Sequence, residues 1–287
     1  MTDLTTTART ITPRGRLSRR LRDIISYREL LANLVRKELK VRYKSSILGF
    51  LWSLLNPAML LVVYYFVFSI VLKSGIPRFP IYLLSGLLVW NLFAVGLTAG
   101  TGSVVNNAGI VSKVWFPREV LPLGAIGAAL VHFFLQSIVL VGALAIFRHP
   151  VDWAYLPLVP LALVGLLLLL SGTTILLAAL NVYLRDVAHL VELLLLAWFF
   201  ACPIVYSYDL IAERMGSSAF LYLANPVTDV VLVFQRAIYG ELTDVVHDFP
   251  LWWYLRNLGY VYLVGAITFL VGMSVFRRLE GNFVEEL

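Results

Sequence analysis

The sequence predicts an all-α integral membrane protein, and three observations carry that prediction. Apolar residues make up 60 % of the 287 positions and charged residues only 14 %, where a soluble domain carries roughly 45–50 % and about 25 %. Six charge-poor stretches approach the ~20 residues that a helix needs to cross a ~30 Å hydrocarbon layer. The cations crowd into the first 44 positions, ahead of the first apolar stretch, which is the pattern of a membrane-surface segment.

That placement argues against reading the net charge of +6 as a nucleic-acid footprint. The single Cys202 excludes an intrachain disulfide, and no Cys/His cluster has metal-ligand spacing. A cleaved secretory signal would place a short apolar core directly behind a basic start. Here the first apolar stretch begins near Trp52 and is full length.

The expected spans run approximately from Trp52 to Leu72, Phe79 to Thr101, Leu121 to Phe147, Leu156 to Leu184, Val187 to Tyr208 and Asn257 to Phe276. With the amino terminus inside, the inner segments hold Arg9 through Lys44, Lys113, Arg118, Arg185, Arg277 and Arg278. The outer loops hold Lys73, Arg78, Arg148, Arg214, Arg236 and Arg256. The bias puts both termini in the cytoplasm. A shorter apolar run, Ala219 to Phe234, is interrupted by Asn225-Pro226 and Asp229. A re-entrant helical hairpin over 216–240 suits it, since irregular backbone at membrane depth is tolerated where protein or a water-filled cavity satisfies it. A surface loop on the outer leaflet is the alternative.

Ser26 and Glu29 form a capping box, with Ile25 and Leu30 as hydrophobic staple, so a helix is expected from Tyr27 within an interfacial segment 26–46. Tyr27, Leu30, Leu31, Leu34, Val35 and Leu39 fall on one face, and Asn33, Arg36, Lys37, Lys40 and Lys44 on the other. This is the design of an amphipathic helix on a leaflet. Arg36, Lys37, Lys40, Arg42 and Lys44 lie within nine positions. Such density suits a diphosphate, Arg supplying a planar fork and Lys a point charge. Each cation alone is equally suited to anchoring on anionic lipid, at about 1 kcal/mol apiece.

The run Lys37-Glu38-Leu39-Lys40-Val41-Arg42-Tyr43-Lys44, continuing through Leu48-Gly49-Phe50-Leu51-Trp52 to Asn56-Pro57, resembles the corresponding signature of ABC-2 type polysaccharide-export permeases. Phe116-Pro117-Arg118-Glu119-Val120-Leu121-Pro122-Leu123, Asn181 with Arg185-Asp186-Val187, and Asn225-Pro226 resemble further blocks of that family, in the same order. Tyr183-Leu184 departs from it, since a more basic tract is expected before Arg185. Within the family the chain is most similar to actinobacterial permeases that export the galactan of the mycobacterial cell wall, the Arg/Thr-rich amino-terminal segment included.

The resemblance implies a homodimer working with two copies of a separate nucleotide-binding subunit, which binds ATP and Mg, and a polyprenyl-diphosphate-linked glycan as cargo. No Walker-type Gly-Lys loop occurs in this chain, which is therefore expected to be no enzyme and to hold no cofactor. The implied organisation is a disordered cytoplasmic tail (1–25), the interfacial helix (26–46), a six-span permease domain (47–279) with a coupling loop (106–119), and a carboxy-terminal cytoplasmic tail (280–287).

Residue by residue, the resemblance and the chemistry nominate Arg36, Lys37, Lys40, Arg42, Tyr43 and Lys44 for lipid-diphosphate binding. Ser112, Lys113, Trp115, Phe116, Arg118 and Glu119 are nominated for docking the ATPase, an interfacial Trp/Phe anchor being the plainer reading. Tyr64, Tyr65, Phe68, Trp198 and Phe199 are nominated as aromatic lining for a sliding polymer, against ordinary helix packing. Asn225 and Pro226 are nominated as an outer gate. His132, His189 and Glu192 are ionisable groups in or beside spans, where charge is costly. Rival readings are an ABC-2 permease for a small hydrophobic drug or lipid, a gradient-driven flippase of lipid-linked glycans, and a membrane enzyme acting on polyprenyl diphosphates. No paired-carboxylate or relay motif supports the last two.

Overall fold

The structure, a computed structural model, describes residues 24, 26–43, 51–71, 73, 75–240 and 249–287. The expected tail over 1–23, Lys44 and the ends of the two adjoining predicted segments lie outside these residues. The described chain contains helices and no strand. In order they are α1 (Arg28–Tyr43), α2 (Leu51–Tyr64, continued by a π-helical stretch Tyr65–Val71), α3 (Phe79–Asn106), α4 (Ala108–Val111) and α5 (Val120–Phe147). There follow α6 (Leu158–Tyr183), α7 (Asp186–Phe200), α8 (Tyr208–Met215), α9 (Phe220–Leu223), α10 (Pro226–Tyr239), α11 (Leu251–Leu279) and α12 (Phe283–Glu286).

Four helices, α3, α5, α6 and α11, are long and apolar enough to cross a membrane, so the chain is a membrane-embedded protein. The first expected span corresponds to α2 and its π continuation, 14 and 7 residues long. The fifth is not one continuous helix. α7 stops after 15 residues at Phe200, about 22 Å at 1.5 Å per residue, and residues 201–207 are non-helical. Pro203 explains the stop: it lacks an N–H and disfavours helical geometry at the residue before it.

α3 is the central helix, with every residue from Phe79 to Trp90 buried, and α5, α6 and α10 pack around it. The most extensive contact joins α6 to α11, and it depends on two glycines. A Cβ on Gly172 would come within 2.3 Å of the Phe269 backbone nitrogen, and one on Gly272 within 2.4 Å of the Gly172 carbonyl oxygen. In lipid no hydrophobic force separates helix faces from solvent, so close backbone approach of this kind holds the pair together.

α1 begins at Arg28, one residue after the expected start. Its apolar face is occupied by protein instead of lipid: Leu34 and Val35 fill notches at Gly124 and Gly127 of α5, and Leu34 is buried. The expected carboxy-terminal tail is also docked. Phe283 is fully buried at the same end as α1, edge-on to Phe276 (5.3 Å) and Tyr183 (6.2 Å). Tyr183 Oη donates to the Leu279 carbonyl at 2.8 Å, so the residue that departs from the family pattern anchors this segment. We refer to this end, which carries α1, the 107–119 loop and Phe283, as the basic end.

From Phe200 the chain runs toward the opposite, far end. Tyr82 Oη donates to the carbonyls of Pro203 (3.2 Å) and Tyr206 (2.7 Å), and Gln235 Nε2 donates to Pro203 O (2.7 Å). After α8 it turns back through a 3₁₀ stretch (Gly216–Ala219) and α9 to Ala224, whose carbonyl accepts from Tyr260 Oη at 2.9 Å. Tyr260 lies nine residues into α11, about 14 Å along its axis. α10 then returns to the far end, buried from Val227 to Tyr239.

A leucine at position 172 has no space except by parting α6 from α11. Gly172→Leu is expected to cost about 3 kcal/mol or more, at the upper end of overpacking penalties. Gly109→Ala, which meets nothing within 4 Å, should leave thermal unfolding in detergent unchanged.

Candidate functional site

The basic face of α1 carries Arg36, Lys37 and Lys40, all exposed, at helical positions i, i+1 and i+4. Arg42 and Tyr43 fall in the last turn of α1, and Lys44 lies outside the described residues. The cations gather at the carboxy-terminal half of the helix, where the macrodipole favours positive charge. Lys37 is tied to the bundle: its Nζ donates to Asn107 Oδ1, and Asn107 Nδ2 donates in turn to Ser103 O at 2.8 Å. Asn107 falls within the expected coupling loop but was not singled out in the sequence. Arg36 and Lys40 present their charge outward.

The 107–119 loop divides into two parts. Ser112, Lys113 and Trp115 are exposed, Trp115 at 76 %. Phe116 and Glu119 are buried, at 6 % and 0 %. Arg118 donates to the Glu280 carbonyl and lies over the Phe283 ring at 5.7 Å. The inward half fixes the loop to the carboxy-terminal segment, leaving the outward half exposed.

The nominated aromatics come together as a packed cluster. Tyr64 stacks on Phe199 (6.0 Å) and lies 6.1 Å from Phe68, which stacks on Phe79 (5.8 Å). Phe199 and Trp198 meet Trp90 and Phe93 edge-on at 5.6 and 5.1 Å. Phe199 is buried, and of the five only Tyr65 is classed as exposed. Tyr64, Phe68, Trp198 and Phe199 thus take part in the packing between α2, α3 and α7.

Asn225 and Pro226 build the turn at the deep tip. The Asn225 side chain caps α10 by accepting from Val227 N (3.1 Å), and its Nδ2 contacts Cys202 Sγ at 3.2 Å. Pro226 occupies the first turn, where its missing N–H costs nothing. One turn on, Asp229 is 2 % exposed, and neither carboxylate oxygen has a hydrogen bond among the described residues. Asn257 Nδ2 on α11 is likewise buried without a partner there. His189 and Glu192 are an exposed pair, 4.0 Å apart on one face of α7. His132 is buried and lines a cavity of about 30 Å³, the size of one water, together with Glu38 of α1.

The far end is held by charge. Arg236 Nη1 donates to Asp152 Oδ2 at 2.6 Å, with the two side chains 10 % and 15 % exposed, and the guanidinium sits 4.1 Å from the Tyr155 ring centroid. His149 stacks on Tyr239 (5.5 Å). Arg78 has only donors, so the 3.0 Å contact makes His149 Nδ1 the acceptor, and Nε2–H donates to Tyr239 O at 3.1 Å. These contacts pin the outer end of α10 to the loops before α3 and α6.

A bundle of apolar helices with an amphipathic helix before the first long span, an exposed Trp loop at one end and a buried short helix at the other defines a transporter membrane subunit. The chain belongs to the ABC-2 type transporter family, whose pattern matches residues 29–239. It is similar to the O-antigen export system permease protein RfbA of Myxococcus xanthus, at 36 % identity over 271 residues, 94 % of this chain and 99 % of that one. Against RfbA of Klebsiella pneumoniae the identity is 30 % over 259 residues, covering 90 % and 95 %. Against the polysialic acid transport protein KpsM of Escherichia coli it is 23 % over 256 residues, covering 85 % and 91 %.

Phe116→Ala should destabilise the protein by about 3–5 kcal/mol, as loss of a buried aromatic ring does, while Trp115→Ala should leave the melting temperature within a degree or two. At the far end, Asp152→Asn should cost about 3 kcal/mol by stranding Arg236, and the double variant with Arg236→Met should recover most of that loss.

Proposed function

We propose that this protein is the transmembrane subunit of an ATP-driven ABC exporter that carries a polyprenyl-diphosphate-linked polysaccharide, cell-wall galactan, across the cytoplasmic membrane. The observation that carries the reading is the cationic face of α1 beside an exposed Trp loop, on a chain of a family whose relatives bear polysaccharide-export names. Galactan as the polymer rests on the resemblance to actinobacterial permeases noted in the sequence.

In this reading the basic end faces the cytoplasm, with both termini there, as the charge bias favours. The chain makes six passes, α2 and the broken α7 segment completing the four long helices. Residues 216–240 are a re-entrant hairpin, a reading supported by the depth of the Ala224–Tyr260 contact. Two copies pair, and each engages one nucleotide-binding subunit, to which ATP and Mg belong, through Ser112, Lys113 and Trp115.

Arg36, Lys40 and Arg42, with Tyr43 and Lys44, receive the diphosphate, since a charge-assisted bond to an Arg fork is about twice as strong as a neutral one. Lys37 positions the helix through Asn107. ATP-driven movement reaches the loop at Trp115 and, through Arg118 and Phe283, the inner ends of α6 and α11. The polymer passes along a protein-lined aqueous route, which removes the cost of dehydrating sugar hydroxyls in hydrocarbon.

The first test is mass spectrometry of what accompanies the protein out of its native membrane in mild detergent. A near-stoichiometric Walker-motif ATPase is expected, with a glycolipid naming the cargo; its absence even after crosslinking would overturn the ABC mechanism. Arg36→Gln, Lys40→Gln and Arg42→Gln combined should reduce export at least tenfold while membrane insertion and ATPase binding persist, and unchanged export would remove the diphosphate role.

A further inference from the structure

A cleft of about 810 Å³ opens at the far end, between the π-helical end of α2 and the start of α3. Its polar lining comes from Lys73, Arg78, Tyr65 and Ser69, with no carboxylate among the described residues that line it. Leu61 and Val62 continue the wall one to two turns deeper along α2, on a face where Val62 is exposed. The cleft therefore has two cations at its mouth and an apolar track leading toward the middle of the bilayer. That is the complement of a molecule with an anionic head and a hydrocarbon tail.

The cations are set in place by the backbone. Lys73, Arg78 and Arg148 are the three non-glycine residues with positive φ among those described, at 48°, 47° and 46°. Arg148 directly follows Phe147, which lines the same cleft. A long β-carbon-bearing side chain in left-handed geometry is disfavoured, and it persists where the surrounding structure over-determines it. Arg78 is further aimed by His149, which occupies one of its five N–H donors and is itself held on Tyr239. Arg78 itself lines the cleft.

We infer that this cleft binds a phosphate-headed lipid, with the phosphate between Lys73 and Arg78 and the hydrocarbon chain along Leu61 and Val62. Only the assignment of this end to the outer leaflet rests on the function proposed above. The chemistry fits a resident anionic phospholipid and the polyprenyl-phosphate end of an exported glycolipid alike.

The test is native mass spectrometry of the full chain with its partner subunit, released from micelles containing phosphatidylglycerol and phosphatidylcholine with the same acyl chains. Wild type should retain phosphatidylglycerol preferentially, and Lys73→Glu should reduce the retained amount at least fivefold. Arg148→Gln, which removes a neighbouring cation outside the lining, should leave it unchanged. A second arm adds polyprenyl diphosphate: displacement of phosphatidylglycerol at lower concentration makes the transported lipid the occupant, and its failure makes a resident phospholipid the occupant. Equal retention of the two phospholipids by wild type, or unaltered retention by both Lys73→Glu and the Lys73→Gln/Arg78→Gln pair, would overturn the site. Because the readout is lipid retention and not export, a failed site and a failed transport reading remain distinguishable.

Discussion

A carbonyl freed from helical geometry inside a membrane protein has no bulk water to turn to, and several kcal/mol are at stake for each group left unpaired. In this protein the constraint falls on Pro203 and Tyr206. One tyrosine, Tyr82 of the central helix, bonds both carbonyls, and Gln235 of α10 bonds the first a second time. The break after Phe200 can exist only with α10 packed beside it, and α10 can be buried along its length only because the broken helix leaves it space. The two irregular features are mutually dependent, and the position of the deep tip at Asn225 follows from both.

Around that arrangement the regular helices are placed by removal of side-chain atoms. Gly172 and Gly272 allow α6 and α11 to touch backbone to backbone, and Gly124 and Gly127 receive Leu34 and Val35 of α1. The second pair changes what α1 is. A helix whose apolar face rested on lipid would be held by partition alone, whereas one seated in glycine notches moves with α5. Its cations are thus fixed relative to the bundle, as Lys37 on Asn107 also requires.

Four of the six expected spans were legible as long apolar helices because length and apolar composition are properties of a single segment. Asn225-Pro226 could be read for the same reason as a break in an apolar run, while its role as the capped start of α10 is seen in the Asn225 bond to Val227 N. What depended on distant pairing was not legible. The burial of Phe283 in a stretch that reads as a polar tail needs Tyr183, Phe276 and Arg118, which come from three separate elements. The ring contacts of Tyr64, Trp198 and Phe199 with one another and with Trp90 and Phe93 likewise join three helices that no local pattern pairs. The small cavity shared by His132 and Glu38 joins residues 94 positions apart, and no periodicity announces it.

The two ends of the molecule are held by different forces, and this determines which parts can move. At the far end α10 is clamped at its carboxy-terminal side by the Arg236–Asp152 ion pair and the His149–Tyr239 stack, contacts that are strong because they are largely removed from water. The deep tip is held by uncharged contacts instead: Tyr222 Oη donates to Phe200 O at 3.1 Å and meets Tyr206 Oη, Asn225 Nδ2 reaches Cys202 Sγ at 3.2 Å, and Tyr260 Oη donates to Ala224 O at 2.9 Å. The chain before the tip is exposed, with Phe220 and Leu221 facing outward at 64 % and 57 %. Local stability follows the density of buried contacts. Exposure along α8 and α9 against burial along α10 makes the first limb the less stable of the two, with Tyr222 and Asn225 as its ties to the break after α7.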